Sequence, residues 1–186
     1  MIIRKANISD SKHIAPILLL AMEDLIYKFI AKKDYAAAKD FLQYFVEKEN
    51  NQYSYQNCFV AEADNEIIGA VNIYNGADLE VLRNPIVEYV RTNFNPEFDP
   101  EFESQAGEFY IDTLGVNPHH QGKGIGSKIL QFLIEEYVHK NKQTLGLLVD
   151  EDNPLAKNLY LKLGFKVVGG KTLVGKKLDH LQISAN

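Results

Sequence analysis

The feature that most constrains the fold is a glycine-rich turn between a strand and a helix. Residues 116–130 read VNPHHQGKGIGSKIL, with glycine at positions 122, 124 and 126. The sequence predicts a strand over Glu108–Val116 and an amphipathic helix over Ser127–His139. The nearly continuous apolar run Thr144–Val149 predicts another strand, covered on both faces. Such a strand–helix–strand unit implies two parallel strands joined by a right-handed crossover.

The remaining segments predict a mixed α/β (α+β) fold around one sheet. Apolar patterns and turn residues predict strands at Ile2–Lys5, Asn57–Glu62, Glu66–Tyr74, from Phe165–Val168 onward, and at Thr172–Leu181. Helices are predicted over Ile14–Phe29, from Asp34 to about Glu47, over Leu79–Val90, and from Asn153 to Gly164. Pro85 is a candidate break in the third of these helices.

Length and charge limit the class of protein. A chain of 186 residues is most simply one domain, 1–186, with a loosely patterned insertion at about 76–107. A formal net charge of -5 argues against general affinity for nucleic acid, which depends on neutralising phosphates. The apolar stretch Ile14–Ala21 is too short to span a membrane, and no signal peptide is recognisable at the N-terminus. We therefore expect a cytoplasmic protein.

The glycine turn does not match the two best-known nucleotide motifs. A P-loop needs a Gly-Lys-Ser/Thr triplet, whereas Gly126-Ser127-Lys128 has the last two residues reversed. The dinucleotide fingerprint needs glycine where Ser127 stands. A helix N-terminus with unpaired N–H groups can still hold phosphate, and glycine allows a close approach. A turn that binds no ligand is the structural alternative.

Two motifs in the C-terminal half resemble the GNAT superfamily of N-acetyltransferases. Residues 121–126 read QGKGIG, which is similar to the family's pyrophosphate loop, Gln/Arg-x-x-Gly-x-Gly/Ala. Residues 153–165 read NPLAKNLYLKLGF, which is similar to the family element Asn-x-x-Ala-x-x-x-Tyr-x-x-x-Gly-Phe. The motifs lie one strand apart and in the family's order. The resemblance implies a mostly antiparallel central sheet with a splayed parallel strand pair and helices on both faces.

The resemblance also implies acetyl-CoA as co-substrate, held largely by the backbone. Its pantetheine arm would pair with Leu114, Gly115 and Val116, with Gly115 marking a bulge that opens the sheet. The remaining contacts implied by motif position are Gln121, Gly122, Lys123, Gly124, Ile125, Gly126 and Ser127 at the pyrophosphate, and Asn153, Ala156, Lys157 and Tyr160 along the following helix. Asn153 can equally be a helix N-cap.

Three residues are candidates for proton transfer. Tyr160 matches the family tyrosine near the thioester sulfur, where a phenol protonated at neutral pH could donate to the thiolate. Asp112 matches a position where many members carry an acid, and it is the first choice for general base, with Glu108 second. Regular strand alternation would place both acids on the face of Leu114 and Val116. Core packing of the tyrosine and solvation of the acids are the alternatives.

The insertion suggests the chemistry of the acceptor. It contains seven acidic residues against two arginines, Arg83 and Arg91, with Tyr89, Phe94, Phe98 and Phe102 interleaved. An acidic, aromatic-lined mouth would favour a cationic acceptor such as a polyamine or a basic peptide amine. An acidic solvated loop is the alternative. His119 and His120 lack other metal-ligand spacing, so they are expected to be loop residues, and no metal is predicted.

The sequence thus predicts an acetyl-CoA-dependent N-acetyltransferase in which a primary amine attacks the thioester directly in a ternary complex. Two other functions remain open at this point. One is an acyltransferase with another acyl-CoA or acceptor, and the other is a module that senses acyl-CoA without turnover. A homodimer is common in the family, but no sequence feature identifies an interface.

Overall fold

The computed structural model describes residues 1–173 and 175–185. Its helices are α1 (Ser11–Phe29), α2 (Tyr35–Val46), α3 (Leu79–Asn93), α4 (Ile125–Leu133) and α5 (Pro154–Lys162). Its strands are β1 (Ile2–Lys5), β2 (Cys58–Ala63), β3 (Glu66–Asn75), β4 (Phe109–Val116), β5 (Leu145–Asp150), β6 (Lys166–Leu173) and β7 (Lys176–Ile183). Helix α4 continues as a π-helical segment over Ile134–Lys140.

The strands form one sheet in the order β1-β2-β3-β4-β5-β7-β6. Neighbouring strands are antiparallel, except for the parallel pair β4 and β5 that α4 connects. The predicted mixed, mostly antiparallel sheet with one parallel pair is therefore confirmed.

Helices cover both faces of the sheet, as predicted. Alternating residues of β2 and β3 pack on α1, α2 and α3 on one side, which we call the α1 face. The other set packs on α4, together with the apolar residues of β5, on the side we call the α4 face. Helix α5 adds partly buried side chains to the α4 face, including Ala156, Leu159 and Tyr160.

Three local predictions were wrong. Pro85 does not break α3, which runs through it from Leu79 to Asn93. Helix α4 begins at Ile125, two residues earlier than predicted. The last turn lies near Gly175, not before Thr172, because Gly169 and Gly170 belong to a strand whose register shifts there.

Candidate active site

Strands β4 and β5 are paired only where they begin. Phe109 aligns with Leu145 and Tyr110 with Gly146, and the Phe109 amide donates to the Thr144 carbonyl at 2.8 Å. Beyond this point no further pairing of the two strands occurs among the described residues, whereas β5 stays paired with β7 along its whole length. The C-terminal half of β4 therefore presents backbone amide and carbonyl groups to a V-shaped gap.

The glycine-rich turn connects β4 to the N-terminus of α4. Gly122 and Gly124 have φ angles of 75° and 73°, in the left-handed region that glycine adopts without steric cost. The first turn of α4 follows directly at Ile125. Its leading N–H groups lack intrahelical partners and carry the partial positive charge of a helix N-terminus. The turn thus offers main-chain donors to an anion.

An open cavity of about 220 Å³ lies at this turn. Its lining consists of turn and α4 residues 121, 122 and 124–127, with Val116, His120 and Leu159. None of these residues is acidic, so no fixed negative charge in the lining opposes an anion. Gln121 and Lys123 bond back to the turn, through Gln121 Nε2 to the Val116 carbonyl at 3.2 Å and Lys123 Nζ to the His119 carbonyl at 3.3 Å.

Gly115 has a different structural role from the one predicted. A Cβ built at Gly115 would lie 2.1 Å from the Ile17 carbonyl oxygen, so glycine is needed because the α1 backbone crosses β4 there. Leu114 and Val116, on either side, pack on the α4 face. The prediction that Gly115 marks the bulge in this strand was wrong.

The bulge lies instead at Asp112. Asn72 of β3 aligns with Thr113 and Ile73 aligns with Ile111, which leaves Asp112 as an extra residue. A bulge reverses the alternation of side chains beyond it. The prediction that Asp112 shares the face of Leu114 and Val116 was therefore wrong. Asp112 lies instead with Tyr74 on the opposite, α1 face.

Glu108, the second candidate base, is fully buried at the closed end of the V. Its Oε2 accepts bonds from Gln182 Nε2 at 2.6 Å and lies 2.8 Å from His180 Nε2. The carboxylate fills the space above Gly146, where a Cβ would be 1.9 Å from Oε2. Glu108 lies before the bulge, so it does not share the face of Leu114 and Val116. The contacts of its carboxylate are those of a buried structural acid.

Asp112 belongs to a polar network drawn from five separate segments. Its Oδ1 accepts from Gln52 Nε2 at 3.2 Å and from the Tyr74 hydroxyl at 3.3 Å, and its Oδ2 from the Thr113 hydroxyl at 3.1 Å. Gln52 Nε2 is also 2.9 Å from Glu103 Oε1. Arg83 completes the network, with Nε donating to Gln52 Oε1 at 2.9 Å and a terminal nitrogen paired with Glu103.

This environment changes the proton affinity of Asp112. Burial and, to a lesser extent, the neighbouring Glu103 carboxylate together raise the pKa of Asp112 to about 7, against the opposing charge of Arg83. A carboxyl group with a pKa close to neutral exchanges protons readily at physiological pH. Asp112 is thus suited to act as a base near pH 7.

Helix α5 places Tyr160 on the α4 face. Its ring packs against Phe165 with centroids 5.9 Å apart, and burial raises the pKa of its hydroxyl, so the phenol is protonated at neutral pH. Asn153 caps the helix by accepting from the Ala156 amide at 3.1 Å. The Lys157 ammonium pairs with Asp179 at 2.5 Å.

The aromatic residues of the insertion do not form a mouth as a group. Phe98 packs on Phe29 of α1, and Tyr89 and Phe94 pack on Phe41 of α2. Among the insertion's aromatic rings named above, Phe102 is the most exposed. The acidic residues Asp78, Glu80, Glu88, Glu97, Asp99 and Glu101 are exposed, whereas Glu103 is buried against Arg83.

The segment 101–105 of the insertion is anchored over the network. Arg83 donates to the Glu101 carbonyl at 2.7 Å and Lys171 to the Glu103 carbonyl at 2.7 Å. The Ser104 hydroxyl donates to the Gly76 carbonyl at 3.0 Å. The insertion therefore forms a fixed wall beside Asp112.

The two turn histidines lie at the surface or near it. His119 is exposed, and His120 is half-buried with Nε2 3.5 Å from Glu66. Within residues 1–173 and 175–185, no group of three His, Cys, Asp or Glu side chains is arranged to hold a metal ion. In the same part of the chain, no helix combines the length and the apolar character needed to cross a bilayer.

Sequence reasoning missed Gln52 and Tyr74 and assigned Arg83 and Glu103 only to a charged insertion. These residues are separated by 20 or more positions from their partners, and periodicity carries no signal for such contacts.

Solved structures share this architecture over the whole chain. A crystal structure of an acetyltransferase is 31% identical, with a TM-score of 0.83, and the match covers 100% of both chains. A structure named as a putative acetyltransferase from Salmonella typhimurium with its cofactor acetyl-CoA is 18% identical, with a TM-score of 0.58 and coverage of 100% of this chain and 94% of that one. The chain therefore shares its fold with solved acetyltransferase structures.

The model of the Acetyltransferase (GNAT) family matches residues 22–165, and the chain belongs to this family. A probable spermine N(1)-acetyltransferase from Bacillus subtilis subsp. natto is 30% identical over 94 residues, which is 50% of this chain and 60% of the relative. The chain thus spans less than two thirds of that relative's length.

Proposed function

We propose that this protein transfers an acetyl group from acetyl-CoA to a primary amine, with Asp112 as general base and Tyr160 as general acid. The observation that carries the proposal is the Asp112 carboxyl, with a pKa raised to about 7, held by a bulge in the strand that borders the gap. An acid of this strength can accept a proton from an ammonium group and release it again near neutral pH.

The chain has a place suited to the cofactor. The turn supplies left-handed glycines and the free amides of α4 beside a cavity with no acidic lining residue, which suits a pyrophosphate. The main chain of Leu114–Val116 would hold the pantetheine arm along the unpaired edge of β4. When bound, acetyl-CoA supplies a thioester whose acyl group an amine can attack. Asn153 contributes as an N-cap, and Lys157 is committed to Asp179.

Asp112 would take the proton that an acceptor ammonium must lose. Its Oδ1 already receives two donors, whereas Oδ2 receives only the Thr113 hydroxyl. We therefore assign the proton transfer to Oδ2. Below its pKa Asp112 is protonated and cannot act, so the rate is expected to rise with pH and to level off above about 7.

Tyr160 would approach the gap from the opposite face of the sheet. Its phenol carries a proton at neutral pH because burial raises its pKa. It can therefore hydrogen-bond to, or protonate, a departing thiolate. An acid and a base on opposite faces leave the gap between them for the reacting groups.

A cationic acceptor, of the polyamine class, fits the charges around the site. Six acidic side chains of the insertion are exposed, against one exposed arginine, Arg91. This imbalance would attract cations toward the wall beside Asp112. A relative is named as a probable spermine N(1)-acetyltransferase, which supports the same class.

A panel of amines with acetyl-CoA, followed by free-thiol release, tests the proposal. Spermine, spermidine and a lysine-containing peptide represent cationic acceptors, and a neutral primary amine of similar length is the matched control. We expect acetylation of at least one cationic amine with kcat/KM well above that of the control. Tight CoA binding without turnover of any amine would refute the proposed function and favour the sensor function. Turnover only with a longer acyl-CoA would show that acetyl-CoA is not the acyl donor.

A further inference from the structure

The network around Asp112 contains charged groups that the proposed chemistry does not itself use. Glu103 is a buried acid from the insertion, and Arg83 is a buried cation from α3. They meet at Gln52, whose amide nitrogen contacts Glu103 and Asp112 while its oxygen accepts from Arg83. A buried pair of this kind carries a desolvation cost, so its value for stability alone is small.

We propose that Gln52, Arg83 and Glu103 are positioning residues for Asp112, which hold its Oδ1 and leave Oδ2 directed to the acceptor amine. This inference rests on the proposed function, because it assigns roles around the same base. A carboxylate is held in one orientation when one of its oxygens accepts two hydrogen bonds. A general base needs such a fixed orientation because proton transfer depends on its alignment with the amine.

The three residues, which we call the positioning unit, also set the balance of charge around Asp112. Glu103 brings a like charge, which disfavours ionisation of Asp112, and Arg83 brings the opposite charge. The other titratable groups near Asp112 are Tyr53, Tyr74, Tyr110 and Cys58, and burial raises the pKa of each. They are therefore neutral at pH 7, and α1 contributes the uncharged Met22 beside Thr113. Glu103 and Arg83 are therefore the charged neighbours that control the ionisation of Asp112.

Two variants are expected to shift the titration of Asp112 in opposite directions. Glu103→Gln keeps the shape but removes the like charge, so the pKa of Asp112 should fall by about one unit or more. Gln52→Leu removes a donor to the Asp112 carboxylate, so its pKa should rise. Damage to packing alone would not produce shifts of opposite sign. Glu97→Gln, which removes an exposed acid of the same insertion, is the matched control and should leave the pKa of Asp112 unchanged.

The experiment combines two measurements on the full chain. Carboxyl carbon NMR titration of the free protein, with Asp112→Asn to assign the signal, reports the pKa of Asp112 without any turnover. The acidic limb of kcat/KM against pH reports it during catalysis. We expect both to move down in Glu103→Gln and up in Gln52→Leu.

The outcomes separate the two proposals. If no amine is turned over, the proposed function fails, but the NMR titration still tests the unit. If the enzyme is active and the Asp112 signal does not move in Glu103→Gln or in Gln52→Leu, the positioning unit is refuted while the proposed function stands. If Glu103→Gln does not fold, a downward or absent shift in Gln52→Leu would contradict the inference by itself.

Discussion

The two sides of the gap are built in different ways. The cofactor side is formed mainly by one continuous segment, from the end of β4 through the glycine turn into α4, with Leu159 of α5 added, and it would act mainly through backbone groups. The acceptor side gathers Gln52, Tyr74, Arg83, Glu103 and Asp112 from separate parts of the chain, and it acts through side chains. Backbone sites depend on local conformation, whereas side-chain sites depend on packing between distant segments.

Asp112→Asn should have the largest effect on the acceptor side. Loss of a general base typically reduces the rate by about 10²–10⁴-fold, and asparagine keeps the size of the side chain while it replaces one accepting oxygen by a donating amino group. We expect kcat to fall within that range, measured by thiol release with the best amine. The Kd for CoA should not change, and a tenfold weaker CoA complex would place Asp112 in the cofactor side instead.

Tyr160→Phe should have a smaller effect, again on turnover. The ring and its contact with Phe165 are kept, so only the hydroxyl is lost. We expect kcat to decrease by about 10²-fold with unchanged CoA affinity in calorimetry. An unchanged kcat would mean that the leaving thiolate takes its proton from water and that Tyr160 is only a packing residue.

Gly124→Ala should affect the cofactor side selectively. An alanine at a φ of 73° costs about 1–2 kcal/mol, even though the space around the Cβ is open. Gly175→Ala is the matched control, because Gly175 has a φ of 77° and equally open surroundings but lies in the β6–β7 turn. Both variants should lose similar stability in thermal unfolding. Only Gly124→Ala should bind CoA more weakly, and an equal loss in both would mean that the turn has no special role.

The pH dependence of stability tests the Asp112 carboxyl without any turnover. The pKa of Asp112 is raised in the folded state, so its proton stabilises the folded chain at low pH, and this contribution is lost as pH rises toward about 7. Between about pH 4 and pH 7, the free energy of unfolding of the wild type should fall relative to that of Asp112→Asn by at most about 1.4 kcal/mol per pH unit. Denaturant unfolding at several pH values measures this. Asp64→Asn, in the exposed β2–β3 turn, is the charge control, and identical pH slopes in the wild type and Asp112→Asn would contradict the account.

The same contrast explains what the sequence could predict. The order of elements, the parallel pair and the glycine turn follow from local patterns, and the structure confirms them. The bulge at Asp112 could not be predicted, because it appears only when β4 is aligned with β3. The requirement for Gly115 depends on the path of α1, and the burial of Glu103 depends on Arg83 in another segment. Roles of residues on the acceptor side therefore needed the structure.

The most direct test of the central claim compares Asp112→Asn and Gly124→Ala side by side, with Kd for CoA and kcat measured for each. We expect Asp112→Asn to lose kcat and keep its Kd, and Gly124→Ala to bind more weakly and keep its kcat at saturating acetyl-CoA. If Asp112→Asn weakens CoA binding as much as Gly124→Ala does, or if Gly124→Ala loses kcat at saturation, the division of the site into a backbone cofactor side and a side-chain acceptor side is wrong.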